Sequence, residues 1–153
     1  MFLRSLLPAL WLALPLMAQP RVFRVDDNHT VLGFKASTLL FDVPGRFTHY
    51  KADIQGDPAV PEGAKVQIDI DAKSINTAIQ ARDEHLRSAD FFDVARFPKM
   101  YFESDSFRHL QGNEYSLTGK LIIKGVSRPI ELNVIAGGMV TDTKGRELSL
   151  IHI

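Results

Sequence analysis

The sequence predicts an all-β protein whose antiparallel strands form a barrel or a sandwich. Three observations support this fold class. Apolar and polar residues alternate with a period of two along most of the middle of the chain, as in strands with one dry and one wet face. Turn signals rich in Gly, Pro and Asn separate these runs. One segment, 78–88, instead has helical composition and spacing.

The alternating segments, taken in chain order, indicate about seven strands. Six of them cover residues 30–36, 50–54, 65–72, 115–123 and 130–136, with a short pair at 100–102. Their apolar sides carry Leu32, Phe34 and Ala36; Tyr50, Ala52 and Ile54; Val66, Ile68, Ile70 and Ala72; Met100 and Phe102; Tyr115, Leu117, Leu121 and Ile123; and Ile130, Leu132, Val134 and Ala136. Turns are predicted at 44–45, 61–63 and 137–138, among other places.

The segment 78–88 reads AIQARDEHLRS and predicts a short helix inserted among the strands. Most of its residues are good helix formers. Thr77 can cap its beginning, and Ile79, Arg82 and Leu86 fall on one side at helical spacing. Several aromatic residues follow closely. A helix with an aromatic exit would suit a lid over the open end of a barrel.

The first 18 residues have the order of a secretory signal peptide. Arg4 precedes an apolar run over 6–17, and Ala18 offers a small residue for cleavage. The alternative, an uncleaved membrane anchor, is disfavoured because the run is too short to span a bilayer and contains two prolines. We therefore expect a periplasmic or secreted protein with no integral membrane span in its mature chain.

The last six residues, 148–153, read LSLIHI. They resemble the translation of a common transposase sequencing adapter, and we interpret them as adapter read-through. The alternative is a natural final apolar strand. On the first interpretation the domain itself occupies 19–147.

Composition excludes several function classes. The chain of 153 residues has 18 Lys plus Arg and 18 Asp plus Glu, which gives no electrostatic argument for a nucleic-acid partner. With no Cys, disulfides, thiolate metal sites and Cys nucleophiles are excluded. The five His lack metal-ligand spacing, and His49 and His109 are interpreted as solvated loop residues. No phosphate loop or nucleophile elbow occurs, so we predict no catalytic residue, metal site or cofactor.

Two features remain open from the residues alone. The charged run Arg82-Asp83-Glu84-His85 is either a polar head-group site at a cavity mouth or helix-surface charge that ties the helix to the barrel, and the residues favour the second. The apolar faces either fill the interior or leave it open for one apolar ligand.

The chain resembles the YceI-like proteins, exported lipocalin-like barrels that bind polyisoprenoids or related long-chain lipids. The resemblance covers roughly residues 22–140 in order. Its motifs are DNHTVLGF (27–34), GRF (45–47), KSINT (73–77), RDEHLRSADFFD (82–93), FP (97–98), FES (102–104) and LTGKLIIKGVSRP (117–129).

This resemblance implies an antiparallel lipocalin-like barrel with an elongated apolar channel and a short helical insertion. It implies carriage or sequestration of an isoprenoid or other long-chain lipid rather than catalysis, and it favours an open channel over a filled core. The oligomeric state is not implied, and a homodimer is one possibility. The expected ligand-binding residues are Leu32, Phe34, Tyr50, Ile68, Ile70, Arg82, His85, Phe91, Met100, Phe102, Leu117, Leu121 and Leu132.

The sequence departs from the family at its C-terminus. The family continues with further strands after a turn like that at 142–146, whereas here LSLIHI follows. We therefore expect a barrel that lacks its last strands, with unpaired edges that favour aggregation.

Two alternatives to the carrier come from other classes. One is an enzyme that acts on a lipid or quinone-like substrate through Arg82, Asp83 and His85. The other is a stress-response structural module with a filled core.

Overall fold

The computed structural model describes residues 21–26, 29–37, 42–57 and 60–153, so the predicted signal peptide lies outside the described residues. The strands are β1 Arg21–Arg24, β2 Leu32–Ser37, β3 Asp42–Phe47, β4 Tyr50–Asp57, β5 Val60–Asp71, β6 Ile75–Asn76, β7 Lys99–Gln111, β8 Glu114–Ile123, β9 Val126–Thr141 and β10 Glu147–His152. A 3₁₀ turn, Ala72–Ser74, follows β5, and the helix α1 comprises Gln80–Arg87.

Most strands belong to one curled antiparallel sheet. Its order is β1-β4-β5-β7-β8-β9-β10, and a smaller sheet has the order β2-β3-β6. Within the described ranges β1 and β10 are the two edges of the larger sheet and do not pair with each other, so the sheet forms a half-barrel. The predicted all-β antiparallel fold with a helical insertion is confirmed.

Three predicted turns are wrong, because residues 44–45, 61–63 and 137–138 lie inside strands. At the first of these, Gly45 lies directly opposite Phe34, and a Cβ on Gly45 would overlap the Phe34 ring. At the last, a Cβ on Gly137 would come 2.9 Å from the Cβ of Leu150, next to a β-bulge between Leu150 and Ile151. These glycines allow close approach between strands instead of reversing the chain.

The helix α1 begins two residues later than predicted, and the Thr77 cap is wrong. The residue at its N-cap is Ile79, which makes no side-chain capping bond. Thr77 instead lies before the helix and bonds to side chains of the first helical turns. The helix therefore begins where this contact fixes the chain.

Residues 147–152 form β10, which pairs antiparallel with β9 from Thr141 to Ile135. A strand at this position is compatible with either origin of the last six residues, since apolar alternation pairs wherever an edge is offered. Their interpretation as adapter read-through stays a prediction.

Among the described residues, no helix has the length and apolar character needed to cross a membrane.

Candidate functional site

The inner face of the curled sheet, together with the smaller sheet and the 3₁₀ turn, carries two adjoining apolar clusters. The first has the buried residues Phe47, Ile70, Ala72, Ile75 and Met100. The second has the buried residues Val66, Phe102, Leu117 and Val134. Ile68 packs against both clusters, so the apolar surface is continuous. We call the face formed by these two clusters and the side chains packed on them the apolar trough.

Strand register explains why these residues meet. Ile68, Phe102 and Leu121 lie directly opposite one another on β5, β7 and β8. Leu117 in turn lies opposite Leu132 of β9. Directly opposed residues share a face of the sheet, and alternation places every second residue on it. The apolar residues of the period-two pattern therefore line up in rows that run across neighbouring strands.

All of the strand residues predicted to bind ligand belong to the apolar trough. Four of them are buried: Ile70, Met100, Phe102 and Leu117. The others are partly buried and pack against the clusters: Leu32, Phe34, Tyr50, Ile68, Leu121 and Leu132. The centre of the trough is thus closed by side chains, and its flanks keep apolar surface within reach of solvent.

The last turn of α1 and the segment after it cover one end of the trough. Leu86, Phe92 and Val94 pack against the first cluster, and the Phe92 ring meets the Phe47 ring edge-on at 6.2 Å. This is the end at which β4 begins and β5 ends. The aromatic exit of the helix therefore lies over the end of the half-barrel.

The side chains of Arg82 and Asp83 both form hydrogen bonds with Thr77. Arg82 donates from Nε to the Thr77 hydroxyl at 2.7 Å and from Nη2 to the Thr77 carbonyl at 2.8 Å. The buried Asp83 carboxylate accepts the Thr77 amide at 2.8 Å and its hydroxyl at 2.6 Å. These bonds tie the start of α1 to the end of β6. This is the second of the two interpretations of the charged run, in which its residues anchor the helix to the barrel.

His85 and Phe91 form a separate, exposed pair. Their rings meet edge-on at 4.9 Å, and His85 Nε2 lies 3.6 Å from the Asp90 carboxylate. Phe91 is 47% exposed, and neither residue packs on the two clusters of the described chain. The structure therefore does not bring Arg82, Asp83 and His85 together as one polar group.

Sequence reasoning missed part of the trough. Phe47, Ile75 and Phe92 pack in or on the first cluster, although none was predicted to line the interior. Phe47 and Ile75 lie in the short runs GRF and KSINT, which are too short to show the apolar–polar alternation that predicts a strand. Among the described residues, no group of three His, Asp or Glu is placed to hold a metal ion.

Comparison with known proteins identifies the relatives of this chain. The family profile described as the YceI-like domain matches residues 23–149. A protein of Azotobacter vinelandii named UPF0312 protein is 32% identical over 129 residues, which cover 84% of this chain and 66% of the relative. The chain thus spans about two thirds of the length of this relative.

Two solved structures have the same fold. The YCEI protein of Campylobacter jejuni superposes with a TM-score of 0.66 at 36% identity, covering 82% of this chain and 74% of that one. A polyisoprenoid-binding domain from Saccharophagus degradans, implicated in plant cell wall breakdown, superposes with a TM-score of 0.50 at 18% identity, covering 69% and 61%. At that identity the second likeness concerns the fold alone.

Proposed function

This chain belongs to the YceI-like family, and from that premise we propose that it is a carrier or sequestering protein for a polyisoprenoid or similar long-chain lipid. The observation that carries the proposal is the apolar trough, which runs uninterrupted through both clusters. The ligand of the S. degradans domain, a polyisoprenoid, supplies the class of molecule to test first.

The dimensions of the trough favour a long chain. Alternate residues of β8 from Tyr115 to Ile123 face the trough, and eight residues of strand extend over roughly 27 Å. A membrane hydrocarbon core of two opposed leaflets is about 30 Å thick. The partly exposed flanks of the trough therefore extend far enough to contact a hydrocarbon longer than one ordinary acyl chain, as a polyisoprenoid is.

The driving force would be apolar burial on the flanks of the trough. Leu121 and Leu132 are only partly buried, as are Ile54, Ile130 and Phe107. Each methylene of a ligand that covers such surface contributes about 0.8 kcal/mol. A tail of many methylenes gains binding free energy without any charged partner.

We test this role with Leu132→Gln, matched by Asn133→Gln. Both variants place a glutamine on β9, the first in the trough and the second on the opposite, exposed face. An amide buried against the hydrocarbon without a partner costs about 1–3 kcal/mol, so Leu132→Gln should weaken binding of a polyprenol about tenfold or more.

The measurement is native mass spectrometry of the full chain titrated with the polyprenol, with melting curves to confirm that both variants fold. Asn133→Gln should bind as the parent does. Absence of any retained polyprenol by the parent chain, or equal weakening by the two variants, would count against the proposal.

Export through a cleaved signal peptide is part of the same proposal. The mature protein would meet its lipid outside the cytoplasm, in the periplasm or after secretion. Mass spectrometry of the chain recovered from a periplasmic extract should find an N-terminus immediately after Ala18. Recovery of the chain only in the membrane fraction, with its first 18 residues uncleaved, would contradict this part.

A further inference from the structure

A polar depression lies outside the apolar trough, where the β3–β4 connection, the 3₁₀ turn, β6 and the end of α1 meet. Its volume is about 330 Å³. The lining residues are Thr48, His49, Asp71, Lys73, Ser74, Ile75, Asn76 and Arg87. Ile75 is the one apolar residue among them, and its side chain is fully buried in the first cluster. The depression and the trough therefore adjoin at Ile75.

Hydrogen bonds fix the walls of the depression. The Ser74 hydroxyl lies 2.7 Å from the Asp71 carbonyl and accepts the His49 amide at 3.1 Å. Arg87 donates from Nε to the Lys73 carbonyl and from Nη2 to the Ile75 carbonyl, both at 2.7 Å. These bonds join the β3–β4 connection, the end of β5, the 3₁₀ turn, β6 and α1, so the backbone of the lining is preorganised rather than assembled on binding.

The groups left over in this lining are mainly donors. Arg87 uses two of the five N–H groups of a guanidinium. In the part of the chain that the structure describes, the Lys73 ammonium has no hydrogen bond or ion pair. Asp71 is the one carboxylate of the lining, and its Oδ1 already accepts the Lys73 amide at 2.9 Å. Two positive charges, Arg87 held by its two carbonyl bonds and Lys73 on an exposed side chain, thus line the depression with one negative charge.

We propose that this depression binds an oxyanion of the phosphate class, either as free phosphate or as the phosphate head group of an amphiphile. A guanidinium offers a planar fork and an ammonium a point charge, and together they match the oxygens of a phosphate. A free-anion site would be independent of the proposed lipid-carrying role, whereas a head-group site rests on it, because the tail would lie in the adjoining trough.

The first test titrates the full chain with inorganic phosphate and follows backbone amide signals by NMR, with chloride of equal ionic strength as reference. The amides of Lys73, Ser74 and Asn76 should shift saturably with phosphate and not with chloride. Lys73→Gln should weaken the affinity about tenfold, because it removes one charged donor.

Lys65→Gln is the matched control, since it removes the same charge from an exposed position of β5 outside the depression. Within the described ranges the Lys73 side chain makes no hydrogen bond or ion pair, so Lys73→Gln should melt like the parent.

The source of the anion is decided by farnesyl phosphate and farnesol. Saturation by inorganic phosphate identifies a free-anion site. Binding of farnesyl phosphate that is weakened by Lys73→Gln, with farnesol unaffected, identifies a head-group site even where inorganic phosphate alone gives no saturable shift.

The proposal is overturned if Lys73→Gln and Lys65→Gln have the same affinity for inorganic phosphate and the same affinity for farnesyl phosphate. The lipid-carrying role would be untouched by that result, because it is tested by Leu132→Gln with an uncharged polyprenol.

Discussion

At the scale of single residues, two phenylalanine rings lie over glycines on neighbouring strands. The Phe34 ring covers Gly45, and the Phe102 ring covers Gly119. Period-two alternation predicts that both aromatics face inward, yet it gives no sign of what lies beneath them. The covered glycine is a property of two strands at once, so a single strand's sequence cannot reveal it.

We predict that Gly119→Ala destabilises the protein by about 1–3 kcal/mol. A Cβ at this position would overlap the Phe102 ring and the Glu103 carbonyl, and backbone cannot move aside cheaply. Gly63→Ala is the matched control, because no atom lies within 4 Å of a Cβ there and the site is also within a strand. Urea unfolding measures both; an equal change in the two variants would contradict the assignment.

At the scale of elements, long alternating runs were predicted well, whereas short runs and the run interrupted by Pro44 and Gly45 were not. The runs at 115–123 and 65–72 fall almost entirely within β8 and β5. β3 was missed because Pro44 and Gly45 interrupt its pattern, although Phe34 supplies the packing that Gly45 lacks. Tertiary contacts here override local turn chemistry.

The helix α1 depends on the contact between Asp83 and Thr77. We predict that Asp83→Asn destabilises the chain by about 1–3 kcal/mol, because an amide cannot accept both Thr77 bonds at the same oxygen with the strength of a carboxylate.

Glu84→Gln is its neighbour and control, since among the described residues the Glu84 side chain bonds only to the exposed Gln80. Thermal melts and amide exchange over Gln80–Arg87 compare the two variants. A loss in Glu84→Gln as large as that in Asp83→Asn would argue against an anchoring role for Asp83.

At the scale of the whole molecule, the sequence predicts which residues face inward but not how far the sheet curls. Ile68, Phe102 and Leu121 could be assigned to one face from alternation alone, and register places them in one row. Curl depends on twist summed over all strands and on bulges such as that between Ser104 and Ser106. The polar depression escaped prediction for the same reason, since its residues come from five segments of the chain.

The curl also brings distant parts of the chain near each other electrostatically. Asp26 follows β1, yet its charge contributes to raising the pKa of Arg146 in the β9–β10 turn, after the hydrogen bond and the charge of Asp142. In return, the backbone amide and then the guanidinium of Arg146 lower the pKa of Asp142 from 3.8. Because this pKa is depressed in the folded chain, Asp142 stabilises the turn fully above pH 3.8 and less as pH falls through its folded value.

We therefore predict that the Asp142 carboxyl titrates below 3.8 by NMR, and that Arg146→Gln moves its pKa only part of the way back. The return is partial because the largest cause, the backbone amide at position 146, survives the substitution. Asp42 serves as an internal control: Ser37 and Lys35 lower its pKa, so Arg146→Gln should leave it unchanged. An Asp142 that titrates at 3.8 in the parent chain, or moves together with Asp42, would show that the turn does not hold this contact in solution.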